Sequence, residues 1–311
     1  MNTRPFGRTG VQVSTVGYGA MALSLPGCPE ESQALRILAA VLDQGVSFLD
    51  TADTYCPGPG EAHHNERLLA RATAAAPTGG RPVYVATKGG TRRAGERWEV
   101  DGAPEYLYRC ICASYQALGG TSPIFLWQLH WPDPRYPIPA MLAAARRAMD
   151  ERLVRFVGVC NFTVEQVRQA EGAVPVVSVQ NQFNLWHREA ETEGILEYCE
   201  QRNLVFLPWR PLGGLGLAQR LGEIGPLARL AHERGSSPQR LMIAWHLAKS
   251  KCILPIPGSK RLEHILDCLS AAGDRLEPAE VRLLDGISAA ELPRRDRAAA
   301  WEGMPPLAEP R

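Results

Sequence analysis

The chain has 311 residues, of which 45% are hydrophobic and 22% charged, a balance that excludes a largely disordered protein. Its 34 Lys and Arg residues stand against 33 Asp and Glu, so the net charge of +1 offers no basic excess for nucleic-acid binding. No apolar run approaches the roughly 18 residues that a transmembrane helix needs, and no membrane partner is expected. The length fits either two domains or one large (β/α) barrel.

The cysteine pattern and the N-terminal region predict a cytoplasmic protein. The eight cysteines include no CxxC pair, so zinc-ribbon spacing is absent and the scattered thiols fit a reducing compartment. The stretch Val11–Pro26 is interrupted by polar residues and glycines, which makes it a poor signal-peptide core.

In chain order, the predicted elements begin with a hairpin over Arg4–Val13 that turns at Arg8-Thr9-Gly10. Eight runs are nearly continuous in apolar residues, as in parallel strands covered on both faces. These runs are Val16–Tyr18, Val46–Leu49, Val83–Thr87, Ile124–Leu129, Val154–Val159, Val176–Val179, Leu204–Leu207 and Cys252–Ile256. The segments between and after them with helical periodicity are Glu31–Gln44, Asn65–Ala76, Pro104–Leu118, Ile138–Glu151, Val164–Gly172, Glu191–Arg202, Pro238–Ser250 and Leu262–Ala272.

The alternation of these elements predicts the fold. Thr163 and Ser237 are expected as helix N-caps, and Gly45 and Gly172 as helix ends. Eight β-then-α units in succession predict a closed (β/α)8 TIM barrel that forms a single domain over residues 1–311. The hairpin is expected to cap the barrel floor, residues 277–286 to add a C-terminal helix, and residues 293–311 to form a surface tail.

Polar side chains stand where the predicted strands end, at the face on which barrel enzymes place their reactive groups. Asp50 ends the second strand and Tyr55 follows five residues later. Lys88 follows the third strand and His130 the fourth. The later strands end in Cys160, Asn161, Gln180, Trp209, Arg210, Ser259, Lys260 and Arg261. These groups are expected to converge on one mouth of the barrel.

The residue types predict an acid site for an oxygen that gains negative charge. A Tyr phenol has a pKa near 10, and a neighbouring Lys88 ammonium is expected to lower the pKa of Tyr55. Asp50 would keep the buried Lys88 charged, and His130 could orient a carbonyl oxygen. A possible metal cluster is formed by Glu61, His63, His64 and Glu66. Adjacent histidines point to different faces of a helix start, so the four residues are interpreted as a polar loop and no metal is expected. The electron pair must then come from a bound cofactor.

The chain resembles the aldo-keto reductase family. Six segments are similar to family signatures in order and spacing, and the resemblance as a whole covers about residues 4 to 286. They are Arg8–Met21, Phe48–Tyr55, Ala86–Gly90, Leu129–Asp133, Val157–Phe162 and Ile256–Lys260. The resemblance implies a catalytic tetrad of Asp50, Tyr55, Lys88 and His130.

The resemblance also implies that NADPH lies across the barrel mouth. Its nicotinamide carboxamide would lie near Asn161 and Gln180, and its ring would stack against Trp209. The backbone of Arg210–Gly214 would hold the pyrophosphate, and Ser259–Arg261 the adenosine phosphate. The full set of cofactor contacts implied is Gly19, Ala20, Met21, Asp50, Cys160, Asn161, Gln180, Trp209, Arg210, Pro211, Leu212, Gly213, Gly214, Pro257, Gly258, Ser259, Lys260, Arg261, His264 and Asp267.

Three single positions and one residue pair depart from the usual family pattern. Trp209 stands where Tyr is commoner, although an indole can still stack on a nicotinamide. Cys160 replaces a frequent Ser and weakens one hydrogen bond to the carboxamide. His264 sits where many members carry Arg, and Asp267-Cys268 replaces a common Glu-Asn pair at the adenine. Lys260 and Arg261 still favour NADP over NAD.

The function expected from this resemblance is NADPH-dependent reduction of an aldehyde or ketone, with hydride from nicotinamide C4 and a proton from Tyr55. Two alternatives stay open. The chain could be a cofactor-sensing regulatory subunit, or it could use the same site for a net non-redox reaction such as dehydration, cyclisation or isomerisation. The sequence leaves the small-molecule carbonyl substrate unidentified and does not decide between a monomer and a homo-oligomer.

Overall fold

The structure is a computed structural model that describes residues 1–58, 60–76, 79–94 and 97–292. The tail predicted over residues 293–311 lies outside the described residues. Eleven strands are present among those described: β1 Thr3–Pro5, β2 Gln12–Ser14, β3 Tyr18–Gly19, β4 Phe48–Asp50, β5 Tyr84–Gly89, β6 Thr91–Ala94, β7 Arg97–Val100, β8 Ile124–Leu129, β9 Val154–Cys160, β10 Val176–Gln180 and β11 Val205–Phe206.

Seven parallel strands form one curled sheet in the order β11-β10-β9-β8-β5-β4-β3. The eighth predicted strand closes it, because residues 252–257 bond to both edges. On one side, Phe206 N–H donates to Cys252 O and Leu254 N–H to Phe206 O, each at 2.9 Å. On the other side, Gly17 N–H donates to Pro255 O and Gly19 N–H to Pro257 O, each at 2.9 Å. The (β/α)8 prediction is therefore confirmed.

Helices follow the strands as the apolar periodicity predicts. Their bounds are α1 Glu31–Asp43, α2 His64–Ala75, α3 Pro104–Ala117, α4 Ile138–Asp150, α5 Val164–Ala173, α6 Glu189–Thr192, α7 Ile195–Arg202, α8 Leu215–Ala218, α9 Gly225–Glu233, α10 Pro238–Lys249, α11 Leu262–Ser270 and α12 Pro278–Asp285. Thr163 and Ser237 cap α5 and α10 as predicted, and α12 is the expected extra helix.

Two local predictions differ from the structure, and some elements were not predicted. Gly172 lies within α5, which continues to Ala173, so it does not end the helix. The segment predicted as one helix over Glu191–Arg202 is divided at Gly194, whose φ of 80° no right-handed helix accommodates. The β6–β7 hairpin and helices α8 and α9 were not predicted at all.

The N-terminal hairpin closes the end of the barrel at which the strands begin. β1 and β2 pair antiparallel, with Thr3 opposite Ser14 and Pro5 opposite Gln12. Between them, the Phe6 ring stacks on Phe48 at 5.2 Å and meets Phe125 edge-on at 5.3 Å. Aromatic burial of this kind stabilises the floor and leaves the opposite mouth for chemistry. In the described part of the chain, no helix has the length and apolar character needed to cross a membrane.

Candidate active site

The strand ends bring a carboxylate, an ammonium and a phenol into one hydrogen-bonded group. Asp50 ends β4 and Lys88 lies near the end of β5, which pairs with β4. Lys88 Nζ donates to Asp50 Oδ1 at 2.6 Å and to Tyr55 Oη at 3.2 Å. Its third hydrogen bond goes to Thr51 O at 2.8 Å. With only 1% of Lys88 exposed, all three protons of the ammonium are held by the protein.

His130, which directly follows β8, completes the cluster predicted from the sequence. Its ring lies 6.1 Å from that of Tyr55, centroid to centroid, at an interplanar angle of 76°. Its Nδ1 is 3.1 Å from Thr91 Oγ1, which in turn lies 3.2 Å from Thr54 Oγ1. A fixed partner on Nδ1 leaves Nε2 as the ring nitrogen able to meet a ligand. Thr91 was not predicted as a site residue. It follows two glycines, and its place in the sequence gives no sign that its hydroxyl contacts His130, 39 residues further along the chain.

Burial sets the protonation states in this cluster. Burial raises the pKa of Tyr55, and the charge of Lys88 offsets only part of that rise. Lys88 therefore lowers the pKa of Tyr55 as expected from the sequence, but burial outweighs this contribution and the net shift is upward. Burial alone would lower the pKa of Lys88, but the charges of Asp50 and Tyr55 outweigh it and raise the pKa above 10.5. Burial, and then Lys88, hold the pKa of His130 well below its usual value, so the imidazole is neutral.

The residues predicted to hold a nicotinamide carboxamide lie beside this cluster, at the ends of β9 and β10. Gln180 Nε2 donates to Asp50 Oδ2 at 2.9 Å. Asn161 has a left-handed φ of 62°, and its Nδ2 donates to His130 O at 3.0 Å. Trp209 Nε1 donates to Asn161 Oδ1 at 2.8 Å. The Tyr that is commoner at this position in the family pattern has no ring nitrogen and could not make this bond. Cys160 is buried, and burial raises the pKa of its thiol.

The segment Arg210–Gly214, predicted to contact a pyrophosphate, has the backbone of a tight turn. Arg210 has a φ of 50°, Gly213 of 81° and Gly214 of 105°. A Cβ on Gly213 would lie 2.6 Å from Leu217 Cδ2, and the positive φ of Gly213 would strain any other residue at this position. The turn also contains the predicted residues Pro211 and Leu212, both buried. Close backbone approach to a ligand is a usual reason for glycines in such a turn.

The predicted phosphate end lies where the eighth strand meets α11. Helix α11 begins after Arg261 without a side-chain cap, so its first N–H groups can bind an anion. Lys260 Nζ donates to Gly27 O at 2.5 Å, and Arg261 Nε to Glu263 Oε1 at 2.8 Å. Ser259 Oγ accepts from Arg261 N–H at 3.0 Å. This donor set of cations and a helix N-terminus fits a phosphate group.

The remaining predicted contacts surround these groups. Gly19 and Gly258 approach so closely that a Cβ on Gly258 would lie 2.3 Å from Gly19 O, and Pro257 O accepts from Gly19 N–H. Ala20 and Met21 begin a 3-10 turn directly after β3. His264 is exposed on α11, whereas the Asp267 carboxylate accepts from Ser237 Oγ, the cap of α10. Their adenine-end contacts stay predictions.

The loop that suggested a metal cluster is hydrogen-bonded internally. His63 Nδ1 lies 2.5 Å from Glu66 Oε2, and His64 Nδ1 lies 2.8 Å from Ser24 Oγ. The two adjacent imidazoles therefore have different partners, as expected when neighbours point to different sides of a helix start.

Comparisons with known proteins bear on the family and the fold. The chain matches the model of the Aldo/keto reductase family over residues 15–289. An uncharacterized oxidoreductase of Schizosaccharomyces pombe is 35% identical over 288 residues, which are 91% of this chain and 89% of that protein.

Solved structures have the same fold. A thermostable aldo-keto reductase, Tm1743, solved with the inhibitor epalrestat, superposes with a TM-score of 0.76 at 25% identity, covering 92% of this chain and 99% of that one. An aldo/keto reductase from Klebsiella pneumoniae, solved with NADP and acetate, gives a TM-score of 0.75 at 22% identity, covering 91% and 94%.

Proposed function

Because the chain belongs to the aldo/keto reductase family, we propose that it is a cytoplasmic, NADPH-dependent reductase of a small aldehyde or ketone. The observation that carries the proposal is the position of Lys88 Nζ, 2.6 Å from Asp50 Oδ1 and 3.2 Å from Tyr55 Oη in a buried cluster. A phenol hydrogen-bonded to a buried ammonium is a proton donor held at one place, which is what reduction of a carbonyl requires.

The roles of the side chains follow from their charges. When bound, NADPH supplies hydride from C4 of its nicotinamide to the carbonyl carbon. Tyr55 donates its proton to the carbonyl oxygen, so that carbonyl, hydride and proton together give the alcohol. The Lys88 ammonium stabilises the phenolate that remains, and Asp50 keeps Lys88 charged. The neutral His130 donates a hydrogen bond from Nε2 to the substrate oxygen and so orients it.

The choice of NADPH rests on the phosphate end of the site. Lys260 and Arg261 stand next to the uncapped start of α11, and both can exchange their present surface partners for a phosphate. The Asn161 and Gln180 amides lie at the ends of adjacent strands, where they can meet a carboxamide. NADP in the Klebsiella pneumoniae structure supports the same choice.

The test follows NADPH absorbance with a panel of aldehydes and ketones, because substrate identity is the largest unknown. We expect turnover in the wild type and its loss in Tyr55→Phe, which removes only the phenol oxygen. Tyr198→Phe is the matched control, since its hydroxyl bonds Glu171 at 2.6 Å on the outer helices and should leave the rate unchanged.

Two outcomes would contradict the proposed reaction, and a third would contradict the role of Tyr55. NADPH that binds without being consumed by any carbonyl would favour a cofactor-sensing role. Conversion of a compound with no net change in NADPH would favour a non-redox reaction at the same site. Full activity in Tyr55→Phe would remove Tyr55 as the proton donor.

A further inference from the structure

A second cavity, of about 340 Å³, lies between the loop that follows β4, the start of the β6–β7 hairpin and α3. Its described lining includes Asp53, Arg92, Arg93, Arg109 and Cys110, and none of the four predicted catalytic residues. A single water occupies about 30 Å³ of liquid, and small-molecule sites begin near 300 Å³. The cavity therefore has the volume for a compact organic molecule.

Asp53 provides an acceptor without a partner in this cavity. The residue is only 3% exposed, and its Oδ1 accepts no hydrogen bond from a described residue, although the Cys110 thiol and the Thr54 N–H stabilise the carboxyl group. Its backbone is fixed, because Asp53 N–H donates to Lys88 O at 3.1 Å and His63 N–H donates to Asp53 O at 2.6 Å. A buried carboxylate oxygen without a donor is costly, so Asp53 calls for an O–H or N–H donor from a bound molecule.

The neighbouring acid Glu66 is not available to accept a hydrogen bond from a bound molecule. Glu66 is fully buried and both of its oxygens are engaged, one by Thr87 Oγ1 at 2.5 Å and one by His63 Nδ1 at 2.5 Å. Burial, and then the charge of Glu66, raise the pKa of Asp53 to about 7. Its carboxyl group can thus accept or donate a hydrogen bond near neutral pH.

Three guanidinium groups line the same cavity. Arg109 is exposed on α3. Arg92 is 52% exposed and lies 3.7 Å from Glu99 and 3.5 Å from an oxygen of Asp101, distances at which an exposed pair contributes little. Arg93 lies over the ring of Trp98 at 5.0 Å. Planar guanidinium forks are well suited to bind phosphate or carboxylate groups in a bidentate manner.

We propose that this cavity binds a small hydroxylated anion, such as a sugar phosphate or a sugar acid. The anionic group would lie between the arginines, and a hydroxyl would donate to Asp53 Oδ1. The cavity adjoins the predicted reaction site without sharing it, since Thr54 lines the cavity and bonds Thr91, the partner of His130. The proposal does not depend on the reductase activity.

Calorimetric titration of the full-length protein tests this site, with glucose 6-phosphate and gluconate as probes and inorganic phosphate and glucose for comparison. Arg109→Gln should weaken the binding of glucose 6-phosphate and of gluconate about tenfold or more, because it removes a charged donor. Asp53→Asn should weaken glucose 6-phosphate but leave inorganic phosphate unchanged, since inorganic phosphate carries no sugar hydroxyl to donate. Arg36→Gln, an exposed arginine on α1 away from the cavity, is the matched control.

Two further variants locate the binding. Lys260→Gln should not change the affinity for glucose 6-phosphate, and Tyr55→Phe should also leave it unchanged while abolishing turnover. The proposal is overturned if neither probe binds in the millimolar range, if Arg109→Gln behaves like Arg36→Gln, or if Lys260→Gln alone removes binding. Because Arg109 is exposed, its replacement keeps the test valid even if Asp53→Asn does not fold.

Discussion

Replacement of Asp50 by Asn should destabilise the fold and reverse its dependence on pH. Lys88 is 1% exposed, and among the described residues Asp50 provides its one full opposite charge at hydrogen-bond distance, 2.6 Å away. In Asp50→Asn the ammonium remains buried with only neutral acceptors, Thr51 O and the phenol of Tyr55. The new amide also presents a second N–H₂ group to the amide of Gln180.

The magnitude follows from the burial. Removing one partner of a buried ion pair costs about 3–5 kcal/mol, out of a total free energy of unfolding of roughly 5–15 kcal/mol. The double variant Asp50→Asn/Lys88→Met should be more stable than Asp50→Asn, because it leaves no uncompensated charge. Glu31→Gln is the control, since its pair with Arg71 is about half exposed and should be worth less than about 1 kcal/mol.

The direction in which the stability deficit of Asp50→Asn changes with pH distinguishes a lost charge interaction from a loss of packing. In the wild type the folded-state pKa of Lys88 is raised, so its stabilising contribution is present below about pH 10.4 and is lost above that. In Asp50→Asn, burial lowers the pKa of Lys88, and the deficit should shrink as pH rises from about 7 to about 10. Urea unfolding, monitored by circular dichroism at several pH values, measures the free energy of unfolding and its dependence on pH. A deficit no larger than that of Glu31→Gln, or one that does not change with pH, would refute the reasoning.

Three other changes test separate parts of the molecule. Thr91→Val removes the partner of Nδ1 on His130 and should lower kcat about tenfold with little change in thermal stability; an unchanged pH–rate profile would contradict this. Lys260→Glu combined with Arg261→Glu should raise KM for NADPH far more than KM for NADH, and equal effects would remove the basis for the 2′-phosphate assignment. Thr163→Ala removes the capping box of α5 and should cost about 1 kcal/mol in urea unfolding.

Continuous apolar runs and terminal caps were enough to predict the barrel. Runs such as Ile124–Leu129 are buried throughout, as expected of a parallel strand covered on both faces. Helix α9 was missed although Leu227, Leu230 and Ala231 form its buried stripe after a proline at its start. The β6–β7 hairpin was missed because its charged residues show no clear alternation between two faces.

The site was predictable only where a residue directly follows a strand. Asp50, Lys88 and His130 could be placed together because parallel strands end at the same face. The partners from other elements could not, since the bond of Thr91 to His130 and the cavity around Asp53 depend on how the hairpin and α3 pack. The sign of the Tyr55 pKa shift likewise depends on burial, which no spacing of residues reports.

The close approach of Gly19 and Gly258 limits how the cofactor end can be altered by engineering. Gly19 ends β3, and Gly258 follows the eighth barrel strand at residues 252–257. A methyl group on either glycine would meet a backbone oxygen at 2.8 Å or less. A library aimed at switching nucleotide preference should therefore vary Lys260, Arg261 and His264 while leaving both glycines untouched. A substitution at either glycine would force the cylinder open before it could alter which nucleotide the protein accepts.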